Sequence, residues 1–211
     1  MAEIRLLTAS DIECRAQQVD KAFKWCSLLL YKNARVDMQI LDETFGRFGW
    51  QRTHEIINGR LYCTVSIYDN EKKQWVSKQD VGTESNTEAE KGQASDAFKR
   101  ACFNIGIGRE LYTSPKIFVT LFPNDIRNNK LYTKFEVSEI GYNGNAINFL
   151  RIKDDKGNIR FEYAEKEVVL NQVRNANNVS ELTWLFNMHK ELQADSEFMS
   201  ALTEKKKSLT A

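Results

Sequence analysis

Residues 50–81 read WQRTHEIINGRLYCTVSIYDNEKKQWVSKQDV. Asn58-Gly59 at its centre is the strongest short hairpin signal a sequence carries, because both residues tolerate the positive φ of a tight turn. After it the chain alternates from Arg60 to Tyr68: Leu61, Cys63, Val65 and Ile67 share one face, and Tyr62, Thr64, Ser66 and Tyr68 share the other. Trp50 to Ile57 therefore reads as a first strand, Asp69 to Lys73 as a polar turn and Gln74 to Val81 as a third strand. The three form an antiparallel meander. From Thr87 to about Ile105 the period lengthens to that of a helix. Ala94, Ala97, Phe98, Ala101, Cys102 and Ile105 make a stripe suited to pack on the sheet, and NIGIGREL (104–111) closes the helix.

Upstream, Ser10 and Glu13 match a capping box, and Ile12, Val19, Phe23, Cys26 and Leu30 follow at helical spacing. That pattern predicts a helix from about Ser10 to Tyr31. A second helix is expected over Arg35 to Phe45, with Val36, Ile40 and Leu41 inward and Gly46 and Gly49 at its end. Downstream, a short apolar segment, Lys116 to Phe122, precedes a polar break at Pro123 to Lys130. Leu131 to Ile140, Ala146 to Ile152 and Ile159 to Tyr163 then read as strands, and Ser180 to Lys207 as a helical tail. The expected class is α+β: a three-stranded antiparallel meander packed on a long helix, with N-terminal helices, an added β-hairpin and a C-terminal helix. The expected organisation is a core over 1–122, an added strand region over 130–173 and a helical tail over 178–211.

Composition restricts function without naming it. The 211 residues carry 30 Lys and Arg against 29 Asp and Glu, a net charge of +1, so any affinity for nucleic acid must come from local clustering. Cys14, Cys26, Cys63 and Cys102 show no CxxC spacing, which suits reduced thiols better than a disulfide framework or a zinc knuckle. The start, MAEIRLLTASDIE, is unlike a signal peptide, and the longest apolar run, Cys26 to Tyr31, is far too short for a bilayer. A cytoplasmic protein with no membrane partner is expected, from a bacterial or phage-infected cell.

Catalytic signatures are missing. No GxxxxGK[ST] is present, which disfavours a P-loop ATPase, and no cofactor is expected. His54 and His189 stand outside zinc-binding or deaminase spacing. Asp80, Glu84, Glu88 and Glu90 are the densest acidic group. They read first as carboxylates complementing a helix N-terminus, with a metal-dependent nuclease as the competing reading. No catalytic and no metal-binding residue is assigned, and a non-enzyme is expected. Trp50 and Trp75 read as packing residues, and Lys205 to Lys207 as a solvated helix end.

The chemistry-bearing feature is the long helix. Lys91, Ser95 and Lys99 recur at i, i+4 and i+8 on one face, and Arg100 lies about 100° around the axis from Lys99. Such cations can hold successive phosphates of a single strand. Alone, two or three basic residues on a helix face are ordinary. Their neighbours add an ordered set: Tyr31-x-x-x-Arg35-Val36, then Phe45-Gly46-x-x-Gly49-Trp50, then Asp80-Val81-Gly82, then Asp96-x-x-Lys99-Arg100-Ala101 and a glycine-bearing close. From about Tyr31 to Tyr112 this set resembles the Rad-fifty-two and Rad-twenty-two family of single-strand annealing proteins.

The resemblance implies binding of single-stranded DNA, annealing of complementary strands without ATP, and a homo-oligomeric ring. It implies DNA contacts from Lys99 and Arg100, from Lys91 on the same helix, and from Arg35. Where the family often places an aromatic between the two glycines, this chain has Arg47 and Phe48, and either could meet DNA. Expected partners are single-stranded DNA, further copies of the chain, and a recombinase or single-strand-binding protein. A module that protects DNA ends or binds structured RNA without annealing is the alternative, since sheet-and-helix layouts also read duplex RNA by shape.

Overall fold

The computed structural model describes residues 3–83 and 89–210, the side chains of 89–91 excepted. The meander stands as its pattern suggests. β3 (Trp50–Ile57), β4 (Arg60–Asp69) and β5 (Gln74–Val81) form a three-stranded antiparallel sheet, with Ile57 opposite Arg60 at the Asn58-Gly59 turn. The long helix, α2 (Ala89–Ile105), packs on β4 and β5. Ala97, Phe98, Ala101 and Cys102 are fully buried there against Cys63 and Val65. The shorter upstream helix is α1 (Ala34–Phe45). Asn33 caps it by accepting from the Arg35 amide at 2.9 Å, and Val36, Ile40 and Leu41 are its buried side.

The expected helix over Ser10 to Tyr31 is instead a short 3-10 turn (Ala9–Asp11) followed by a hairpin of β1 (Glu13–Val19) and β2 (Trp25–Tyr31). The apolar residues there fit two periods at once. Cys26, Leu28 and Leu30 are buried while Trp25, Ser27, Leu29 and Tyr31 between them are half-buried, which is strand alternation. Aromatic ends favour strand, and β6 (Ile117–Thr120) pairs with β2 from the other side, so tertiary pairing decides. The cap sits on Thr8, whose amide and hydroxyl both donate to the Asp11 carboxylate at 2.8 Å. Glu13, the expected capping partner of Ser10, bonds Tyr31 and Asn33 instead.

The downstream strands are more than an added hairpin. After a two-stranded ribbon of β7 (Ile126–Arg127) and β8 (Lys130–Leu131), β9 (Phe135–Asn143), β10 (Ala146–Asp154) and β11 (Ile159–Ala164) form a second meander. It joins the N-terminal hairpin in a six-stranded antiparallel sheet ordered β11-β10-β9-β1-β2-β6. One residue pair, Glu13 with Glu136, makes the β1–β9 junction. The sheet curls until β11 touches β6, where Arg160 donates to the Thr120 carbonyl at 2.7 Å. Its inner residues Leu28, Ile117, Val119, Val137, Leu150 and Ile152 belong to one core with those of α1 and α2. The helical tail has a separate core around Phe198 and starts earlier than 178, with α3 (Lys166–Asn175), α4 (Val179–Met188) and α5 (Ser196–Thr210).

Candidate nucleic-acid interface

α2 ends where the chain needs glycine. Gly106 has φ +128° and its amide bonds the Cys102 carbonyl at 3.1 Å, while Gly108 has φ +80°. Arg109 then folds back and donates to the carbonyls of Phe103 (2.8 Å) and Asn104 (2.7 Å), satisfying groups the helix end leaves open. The following 3-10 turn, Arg109–Thr113, is pinned from both sides. The buried Glu110 carboxylate accepts from the Leu7 amide at 2.7 Å, and the Thr113 hydroxyl accepts from the Ile147 amide at 2.8 Å. This fixes Tyr112 beside Phe103, ring centroids 4.6 Å apart, with Tyr112 79% exposed.

Between this turn, α2 and the end of β2 lies a cleft of about 550 Å³. Its walls include Tyr31, Lys32, Lys99, Arg100, Phe103 and Tyr112. Arg100 is half exposed and donates to Asp80 at 3.2 Å; Asn104 donates to the same carboxylate at 3.2 Å. Lys99 lies where its charge is felt by Glu13 and Asp37. Glu13 is held below the usual carboxylate range, first by the Tyr31 hydroxyl (2.6 Å) and then by the Asn33 amide (2.7 Å), with Lys99 adding to it. Donating that bond to Glu13 pushes the Tyr31 phenol up to about 12. Two cations and the exposed Tyr112 ring on one open wall suit a single strand, which offers phosphates to the former and base faces to the latter. Asp80 and Asp96, on the same walls, offset part of that positive charge.

No protein-family model matches the chain, and no curated protein matches it. Of the six residues singled out in the sequence, the cleft brings together Lys99 and Arg100. Arg35 is exposed in the first turn of α1, outside the cleft walls. Lys91 lies on α2, but its side chain is outside the described residues. Arg47 and Phe48 are exposed in the α1–β3 loop, Phe48 at 97%. Phe48 borders a different cleft, of about 530 Å³, with Phe45, Tyr68 and Trp75.

Sequence reasoning missed Lys32, Phe103 and Tyr112. Tyr31 and Tyr112 bounded the ordered motifs, yet nothing in their spacing tells that the two ends of that stretch meet. Of the acidic group, Asp80 is engaged by Arg100 and Asn104, while Glu84, Glu88 and the Glu90 side chain lie outside the described residues. Among the described residues no three His, Cys, Asp or Glu side chains gather as a metal site, and no helix is long and apolar enough to cross a membrane.

Proposed function

We propose that this chain binds single-stranded DNA and anneals complementary strands without ATP, as a homo-oligomer serving recombination and repair. The observation that carries the reading is the cleft in which Lys99 and Arg100 stand beside the exposed ring of Tyr112. An annealing protein must hold the backbone and leave base edges free to test partners; lysine and arginine hold phosphate without sequence preference, and rings stack on any base. The ordered motifs from Tyr31 to Tyr112 resemble those of the Rad-fifty-two and Rad-twenty-two family and point the same way. A second partner protein, a recombinase or single-strand-binding protein, belongs to the same proposal.

Replacing Lys99 and Arg100 together with alanine tests it. Both side chains reach solvent, so the fold should survive. Binding to a labelled oligothymidylate should fall at least about tenfold, and the slope of log affinity against log salt should shrink by about 0.7 for each phosphate that is no longer neutralised. Annealing of complementary oligonucleotides without nucleotide should fall in parallel. Unchanged annealing by the folded double variant would remove the reading; a preference for duplex RNA over single-stranded DNA in competition would favour the structured-RNA alternative.

A further inference from the structure

Lys32, between β2 and α1, is 7% exposed at its side chain although it forms part of the cleft wall. Its ammonium donates to Oδ1 of Asp37, whose side chain is wholly buried. Among the described residues Asp37 Oδ2 has no close hydrogen-bond partner, and only the weak thiol donor of Cys102 faces that carboxylate beside the two lysines. The Lys32 stem runs so close under the Gly108 turn that a Cβ on Gly108 would lie 2.3 Å from Lys32 Cε. Three groups face Asp37: Lys32, and Lys99 and Cys102 from α2, with Cys63 of β4 behind Cys102. Burial pushes the Asp37 carboxyl up to about 6, against the pull of Lys32 and then Lys99.

We propose that Lys32 is a further phosphate-binding residue of this cleft, held back by Asp37 and released to the bound strand when Asp37 takes up a proton. The proposal rests on the reading above, in which Lys99 and Arg100 hold that strand. A buried ion pair is costly to desolvate, and an acid whose second buried oxygen meets at most a weak thiol donor is better accommodated neutral. A lysine at the edge of an open cleft can keep its stem buried and carry its ammonium outward to a phosphate. An incoming phosphate competes for Lys32 and repels the carboxylate, so strand binding and proton uptake favour each other. Asp37 must then titrate higher in the bound protein than in the free one. Affinity rises as pH falls between those two values and levels off below about 6.

The test is the affinity of the full-length protein for labelled oligothymidylate at fixed salt, from about pH 8 to about pH 5.5, with calorimetry at about pH 6.5 in two buffers of different protonation enthalpy. A rise of one unit in the Asp37 pKa on binding corresponds to about tenfold tighter binding at the acidic end. Calorimetry should show net proton uptake by the unaltered protein. Asp37→Asn and Lys32→Met should each flatten the pH profile. Absence of proton uptake would overturn the proposal even if neither variant folds, as would a pH response surviving in folded Asp37→Asn. A flat profile combined with lost binding in the Lys99 and Arg100 double variant would remove the role of Lys32 and leave the cleft reading intact. Normal binding by that double variant would remove both.

Discussion

Gly49 and Gly82 stand where backbone passes and a Cβ cannot. A Cβ on Gly49 would lie 1.9 Å from the Phe45 carbonyl oxygen, so the chain leaving α1 can double back to Trp50 only without a side chain. A Cβ on Gly82 would lie 2.2 Å from the Gln93 carbonyl oxygen and 2.9 Å from the Ala97 amide nitrogen, both backbone atoms of α2. Gly82→Ala must therefore push β5 away from the helix that carries Lys99 and Arg100. We expect a loss of about 1–3 kcal/mol in urea denaturation, the range for overpacking a tight junction; unchanged stability would mean that strand and helix are not so closely joined. Lys99 and Arg100 were legible because one helix carries both and its period keeps them off the buried stripe of Ala97, Phe98 and Ala101. Lys32 and Tyr112 were not. Lys32 lies 67 positions before Lys99 and 80 before Tyr112, and only the folded chain brings the three to one cleft. Asp37 was hidden for another reason: in sequence it is an ordinary acid in the first turn of α1, where carboxylates are common, and only packing shows it under two lysines.

At the level of elements, the meander and α2 could be read directly because Asn58-Gly59 and the alanine-rich stripe each fit one period. The N-terminal hairpin could not, since Cys26 and Leu30 satisfy a helix and Cys26, Leu28 and Leu30 satisfy a strand. Its partner β6 lies some ninety positions on, with Cys26 opposite Val119, and local pattern carries no trace of so distant a pairing. The same distance hides the closure of the six-stranded sheet. Arg160 on β11 bonds Asp125 at 2.6 Å and Asp154 at 3.1 Å, with both pairs nearly buried, and lies over the rings of Phe122 and Phe135. The Arg160 guanidinium, ahead of the Phe122 amide and the Thr133 hydroxyl, holds Asp125 down at about 2. A depressed carboxylate stabilises the fold above its unfolded pKa near 4, and that stability is lost as pH falls toward about 2. After allowance for solvent screening, about 1–2 kcal/mol should disappear over that interval. Asp125→Asn should lower stability at pH 7 and flatten the acid limb measured by urea denaturation. An unchanged acid limb would show that the clasp contributes little.

For the molecule as a whole, a net charge of +1 and a cleft edged by Asp80 and Asp96 give one chain little long-range pull on an anionic strand. The proposed function therefore calls for several clefts acting on one strand, since linked sites multiply affinity without any new contact. The fold offers surfaces for such repetition. The three-stranded sheet has β3 at one edge and β5 at the other, and β3 carries an Ile56 that is 75% exposed. An open strand edge with an exposed branched apolar residue invites pairing with another chain. Two different edges on opposite sides suit a head-to-tail contact, which closes into a ring when the rotation per subunit allows it. Light scattering on the eluting protein should therefore give a mass many times the 24.4 kDa of one chain, and the Lys99 and Arg100 double variant should keep that mass while losing DNA. Ile56→Lys removes little buried surface from the single chain, so its folding stability should stay within about 0.5 kcal/mol. If the edge is used between copies, the same substitution should lower the mass and weaken DNA binding together. A monomer in the unaltered protein would leave the cleft acting alone, with an affinity its own charge balance is poorly placed to supply.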